Sequence, residues 1–209
     1  MSVKMALPLE QQKEAARLYR NGLSAQQMAN HFGISIHAAY YTLRKLKVSR
    51  RSAQETNRIR FESKPLSYEL KQKLTSEQEQ LKIAAIMLYW AEGYKARGGT
   101  VDFANSDPDM VLIFWKFLSE VCGIDQKRIR LHLYAYEGQS IQNLKRFWCK
   151  LLKLSINHFT KPYIKKASMT HSWRGPRMVH GLVHIRYSDK KFFEQIIRWI
   201  DEYRLKMIG

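Results

Sequence analysis

Ala84-Ala85-Ile86-Met87-Leu88-Tyr89-Trp90-Ala91-Glu92-Gly93-Tyr94-Lys95 is the stretch whose reading decides the fold. It is apolar and small as far as Ala91, then stops abruptly in a carboxylate and a glycine. Ser76, with Glu79 three residues later, forms a capping-box pattern and predicts a helix start there. Gly93 is expected to stop that helix through its backbone freedom. Ala84, Leu88 and Ala91 stand at i, i+4 and i+7, on one face, where small side chains let a second helix approach closely. Glu92 would then sit at the foot of a helix pair. A carboxylate held there beside a like partner suits a metal ion.

The composition sets the partner class. The chain has 209 residues, 45% of them hydrophobic, which allows a sizeable packed domain plus a small one. Its formal net charge of +18 points to a polyanion, with nucleic acid ahead of an acidic membrane surface. Residues 127–191 hold fifteen Lys or Arg against Glu137 and Asp189, and residues 1–66 hold twelve against four acids. The stretch between is near neutral, so two nucleic-acid surfaces are expected, joined through a more neutral helical region. No apolar run is long enough to span a bilayer and no signal-peptide core follows Met1, so no membrane partner is expected. Cys122 and Cys149 alone exclude a disulfide scaffold and fit a reducing cytoplasm.

Residues 1–48 predict three short helices. Leu9 to Asn21 offers Ala15, Ala16, Leu18 and Tyr19 for packing, and Gly22 ends it. Ser24 is an N-cap for a second helix with Met28 and Ala29. Gly33 makes the turn, and Ser35 caps a third helix that turns Ala39, Leu43 and Leu46 inward. A small residue where helices cross and a glycine at a left-handed turn are what a helix-turn-helix requires. Residues 8–48, with Leu23-Ser24-Ala25-Gln26-Gln27-Met28-Ala29 and Gly33-Ile34-Ser35, resemble the helix-turn-helix of recombinases and many regulators. That resemblance puts Ser35, His37, Tyr40, Tyr41 and Arg44 in the major groove of double-stranded DNA, with Arg44 the foremost base or phosphate donor. Residues 49–75 are expected to be a basic linker in which Arg50 and Arg51 track phosphates, with a short helix over Ser67–Leu74.

Beyond Gly93 the hydrophobic period changes. Val101 and Phe103 alternate with Thr100 and Asp102 in a strand, with a further strand expected at Tyr94–Arg97. Asp107 and Pro108 open a helix whose core face is Ile113, Phe114, Phe117, Leu118 and Val121. The clearest alternation follows: Ile129, Leu131, Leu133 and Ala135 one way, Arg128, Arg130, His132, Tyr134 and Tyr136 the other. A basic, aromatic outer face of this kind suits DNA. A helix turning Leu144, Phe147, Trp148, Leu151 and Leu152 inward comes next. Then come a basic strand Phe159–Lys166 with Lys161 and Lys165, a loop carrying Arg174 and Arg177, and a strand Gly181–Tyr187 with His184 and Arg186 outward. A last helix, Lys190–Leu205, buries Phe193, Ile196 or Ile197, and Ile200. The fold class is α+β: a small all-α domain, then antiparallel strands backed by helices on one side, over 76–209.

The motif helix and these strands resemble the LAGLIDADG homing endonucleases over residues 76–205. Tyr89-Trp90-Ala91-Glu92-Gly93 followed by Asn105-Ser106-Asp107-Pro108 is similar to a bacterial and archaeal branch of that group. The resemblance implies a saddle whose sheet grips DNA, Glu92 and Gly93 holding Mg²⁺ or Mn²⁺, and hydrolysis of phosphodiesters. It gives Lys95 and Arg186 as assisting residues near the reaction centre. The chain departs from the pattern in Met87 for a small residue, Trp90 where an acid often stands, and Glu92 for Asp. A single motif implies a homodimer through the 76–92 helix. A pseudo-symmetric monomer would need helix 141–152 as a degenerate second copy, but that helix ends in Lys153-Leu154. The alternative function is a regulator that keeps the saddle without catalysis, and the third is an RNA-binding or splicing-assisting role. No Cys-x-x-Cys, His-Glu-x-x-His or phosphate-binding glycine loop points to other chemistry.

Overall fold

The computed structural model of the chain describes residues 7–96, 98–166 and 178–209. It divides into two compact units with the boundary between Pro65 and Leu66.

The first unit is all-helical: α1 (Leu9–Arg20), α2 (Ala25–Phe32), α3 (Ile36–Lys45) and α4 (Ala53–Ser63). Ser24 Oγ accepts the Gln27 N–H while the Gln27 side chain accepts the Ser24 N–H, so α2 starts on a complete capping box. Gly33 follows α2 at φ +63°, the left-handed turn expected of it, and Ser35 Oγ accepts the Ala38 N–H to start α3. The core is Ala15, Tyr19, Ala25, Met28, Ala29, Ile34, Ala38, Ala39 and Leu43 with Leu7. Its alanines let the helices cross closely. Helix α4 replaces part of the expected linker. Ser52 caps it by accepting the Glu55 N–H, yet none of its residues is buried. A helix without a core face leaves no apolar stripe in the sequence, which is why periodicity missed it.

The second unit opens with residues 66–75 in an irregular extended run, not the helix expected over Ser67–Leu74. Their backbone groups bond to a distant loop instead: Glu69 N–H to Cys122 O at 3.1 Å, Lys71 N–H to Val121 O at 3.2 Å, and Asp125 N–H to Ser67 O at 3.0 Å. A Cβ at Gly123 would lie 2.6 Å from Glu69 O, so this approach requires glycine there. Helix α5 (Ser76–Glu92) starts on a capping box one residue earlier than expected, Thr75 with Gln78. Gly93 ends it in an extended conformation (φ −74°), so left-handed freedom is not its role. Space is: a Cβ would lie 2.5 Å from both the ring and the carbonyl of Tyr89.

The remaining elements are β1 (Thr100–Asn105), α6 (Pro108–Lys116) running into a π-helical turn (Phe117–Val121), and β2 (Arg130–Tyr136). They are followed by α7 (Ile141–Leu152), β3 (Tyr163–Lys165), β4 (Leu182–Ser188) and α8 (Lys190–Ile208). The sheet runs β1-β4-β2-β3. β4 pairs antiparallel with β1 and β2, but β3 joins β2 in parallel, so the sheet is mixed where antiparallel strands were expected. No strand forms at 94–96; Gly93 makes an isolated bridge with Phe103, and Tyr94 N–H donates to Asp102 O at 2.9 Å. Ala85, Ile86, Tyr89, Phe114, Phe117, Trp148, Phe192, Ile196 and Trp199 pack against Val101, Phe103, Leu131, Leu133, Val183 and Ile185. Helices thus cover one face of the sheet, and the alternation of β2 and β4 is observed as expected. The class is α+β. No helix among the described residues is long and apolar enough to cross a membrane.

Candidate nucleic-acid interface

In the first unit the outward side chains of α3 gather along one open groove of about 720 Å³, lined by Ser35, His37, Tyr40, Tyr41, Arg44 and Arg50 among others. His37, Tyr41 and Arg44 are exposed. Ser35 is half-buried and its hydroxyl is engaged by the Ala38 N–H at 3.1 Å, so it shapes the helix start. The Arg50 guanidinium lies 4.8 Å over the Tyr40 ring, which holds a cation at the groove wall. Arg51 goes elsewhere. Its guanidinium lies 4.0 Å over Tyr19 and donates to the carbonyls of Tyr19 (2.8 Å), Gly22 (3.2 Å) and Leu23. Those carbonyls lie in the last turn of α1 and just beyond it, where a helix leaves acceptors open, so Arg51 caps the unit.

In the second unit the face of the sheet away from the helices carries Asp102 on β1, His184 and Arg186 on β4, Arg130, His132, Tyr134 and Tyr136 on β2, and Tyr163 and Lys165 on β3. Asp102 lies opposite Arg186, which lies opposite Arg130, and His184 lies opposite His132. Asp102 Oδ2 accepts from Arg186 Nε at 2.8 Å and Oδ1 lies 2.7 Å from His184 Nδ1. Burial raises the Asp102 pKa, but the hydrogen bonds and charges of His184 and Arg186 outweigh it and hold the carboxyl below its ordinary value. The His132 pKa is lowered, first by burial and then by the nearby Arg186 and His184. Sequence reasoning missed Asp102. Its place on the outer side of the Thr100–Asn105 alternation was legible, but its partners lie more than eighty residues away.

Arg128 does not join this face. It precedes β2 in a 3₁₀ turn, where its guanidinium donates to Ser188 O and Asp189 and lies 5.2 Å over Tyr187. Lys161 is exposed ahead of β3 and outside any strand, whereas Lys165 is exposed on β3. Arg174 and Arg177 lie outside the described residues.

Glu92 is exposed at the last position of α5, and the Gly93–Tyr94 segment beyond it pairs with β1. Tyr89 fixes that turn: its hydroxyl donates to Tyr94 O at 2.8 Å, and burial pushes its pKa up to about 12. Lys95 Nζ donates to Trp90 O at 2.9 Å and to Gly93 O at 2.7 Å, so its ammonium neutralises the carbonyl end of α5. The Gly93 carbonyl, expected as a metal ligand, is thereby engaged by an ammonium. No group of three or more His, Cys, Asp or Glu residues suited to a metal occurs among the described residues.

No family model matches this chain, and no curated protein or solved structure matches it.

Proposed function

We propose that the protein binds double-stranded DNA sequence-specifically, α3 reading the major groove and the basic sheet face contacting the backbone. The observation that carries this reading is the α3 groove, where exposed His37, Tyr41 and Arg44 stand beside Arg50 with no acidic residue among the lining side chains. An exposed guanidinium on such a helix can pair bidentately with guanine, and the +18 charge supplies the non-specific attraction to phosphates. Its place of action is the nucleoid of a prokaryotic cytoplasm.

A second reading, metal-dependent cleavage, is favoured by the outer face of α5. Ile83, Ala84, Trp90 and Ala91 are exposed there and Met87 is half-buried, although all are apolar. A homodimer through the 76–92 helix would cover that face and set Glu92 beside its copy, supplying the second carboxylate that Mg²⁺ or Mn²⁺ needs. The bound ion would supply charge neutralisation at the scissile phosphate.

Selection from a randomised duplex library with Mg²⁺, sequencing bound molecules and cut ends, tests both readings. DNA recognition predicts an enriched site that Arg44→Ala loses; no enrichment over the starting library overturns it. Cut ends at a fixed stagger, absent with Glu92→Gln, would establish the nuclease. An enriched site left intact by both proteins would establish the regulator.

A further inference from the structure

The open sheet face holds a pair of imidazoles to which duplex binding gives no chemical role. His132 on β2 and His184 on β4 are direct cross-strand partners with ring centroids 6.0 Å apart. Each ring is anchored through the same nitrogen. The ionised Asp102 carboxylate accepts from His184, so Nδ1 of that ring carries the proton. His132 Nδ1 lies 2.9 Å from Thr160 Oγ1. The single proton of that hydroxyl goes to Leu131 O at 3.2 Å, so Oγ1 accepts from His132 Nδ1–H. Both histidines are therefore left with Nε2 as the working nitrogen. The Asp102 and His184 side chains are only 15% and 17% exposed, which holds the anchor rigid.

We infer that this pair cleaves single-stranded RNA by metal-independent transesterification. As base and acid the two imidazoles move protons, and a nucleophile that needs no metal to place it is one the substrate already carries, the ribose 2′-hydroxyl. His132 Nε2 takes the 2′-OH proton as O2′ attacks the adjacent phosphorus. The O2′–P bond forms, the P–O5′ bond breaks, and His184 Nε2–H passes its proton to O5′. The products are a 2′,3′-cyclic phosphate and a 5′-hydroxyl, and water returns the two histidines to their starting protonation. His132 is the base because burial and the neighbouring cations disfavour its charged form. The acid's part falls to His184, whose ring Asp102 holds through Nδ1. Each nitrogen must come within about 3 Å of its own oxygen, on either side of the phosphorus, which rings 6.0 Å apart can span.

The surroundings suit the same substrate. Arg186, held through Nε by Asp102, stands beside the pair with charge for the phosphate. Tyr134 and Tyr163, with ring centroids 5.0 Å apart and Tyr163 52% exposed, offer ring surface for unpaired bases. The inference rests on the second unit alone and is independent of DNA reading by α3, but RNA takes the sheet face assigned above to the duplex backbone, so the two ligands compete for it.

The test incubates the full chain in EDTA with an end-labelled, mixed-sequence single-stranded RNA and with the all-deoxy oligonucleotide of the same sequence. Expected are RNA fragments ending in 2′,3′-cyclic phosphate and an intact deoxy strand. His132→Gln and His184→Gln should each slow cutting by about 100-fold or more, with unfolding midpoints kept. Asp102→Asn and Thr160→Val, which act through the rings, should lower kcat and leave KM. Intact RNA with the wild-type protein, or cutting undiminished in the double Gln variant, overturns the inference. Should a Gln variant fail to fold, RNA with one 2′-deoxy nucleotide at the cut position decides with wild-type protein. That substitution removes only the nucleophile, so continued cutting at that position overturns the inference. Neither result bears on duplex selection through Arg44.

Discussion

The α3 groove and the open sheet face are both basic and aromatic, yet they hold their charge in opposite ways. No carboxylate lines the α3 groove, and its arginines stand exposed or stacked on a ring. On the sheet, Asp102 sits between Arg186 and His184 and fixes the direction of both. An unpaired cation on a helix can follow a phosphate or a base edge. A cation tied to a half-buried carboxylate is a positioned group, suited to acting on one atom. Similar residue types thus make a gripping surface in one unit and a directed site in the other. Arg50 and Arg51, adjacent in sequence, show the same contrast within the first unit.

That contrast can be broken first at Arg51. Arg51→Ala strips a cation from three carbonyls and from the Tyr19 ring, and should destabilise the small first unit by about 3 kcal/mol. All five tryptophans lie beyond Pro65. The expected result is an early far-ultraviolet dichroism transition with no matching change in tryptophan fluorescence. A single unshifted transition by both probes would return Arg51 to the DNA surface.

The second unit has its own counterpart in Gly93. Gly93→Ala forces a methyl into the buried Tyr89 ring and carbonyl, and should cost about 2 kcal/mol. Here the loss is read by fluorescence-monitored urea unfolding. Were Gly93 needed only for backbone freedom, the change would be nearly silent, since its φ suits any residue.

Arg44→Ala should leave both unfolding transitions in place and weaken duplex binding by about 1–2 kcal/mol, with relaxed preference at one base position. A competition assay at fixed salt reads it. Binding that falls equally for every sequence would make Arg44 a phosphate contact.

The smallest expected effect is Asp102→Asn, at about 1 kcal/mol near neutral pH. The sign follows from its lowered pKa. The folded state favours the carboxylate, so the stabilisation is fully present above the ordinary carboxylate value near 4 and is lost as pH falls through the lower folded value. Wild type and variant should therefore converge in stability in acid, as urea midpoints across pH would show. A gap that persists below that range would mean Asp102 acts by packing rather than charge.

Much of the fold was legible because periodicity and capping are local. The alternation at Ile129–Ala135, the caps at Ser24, Ser35 and Asp107, and the left-handed Gly33 all appear as the sequence indicates. The misses share a cause. Residues 66–75 abandon a helical pattern because loop 121–125 offers their backbone better-placed partners. Helix α4 went unseen because it buries nothing. The candidate site was legible as a set of cations but not as pairings. Arg128 alternates correctly with Arg130, yet it belongs to Asp189 and Tyr187.

By itself, the sequence determined an α+β chain with a strongly basic balance, a helical first region, and strands whose outer faces are cationic and aromatic. Those properties follow from composition and from periods of a few residues, which the chain carries whatever its neighbours do. Only the tertiary structure decided which cations are engaged and which stand open. A charge is neutralised by whatever carbonyl or carboxylate arrives beside it, and for Arg51, Arg128 and Arg186 those arrive from 28 to 84 residues away. That is why Arg51 became a cap, Arg44 stayed at a groove, and Asp102 became the anchor of the sheet face.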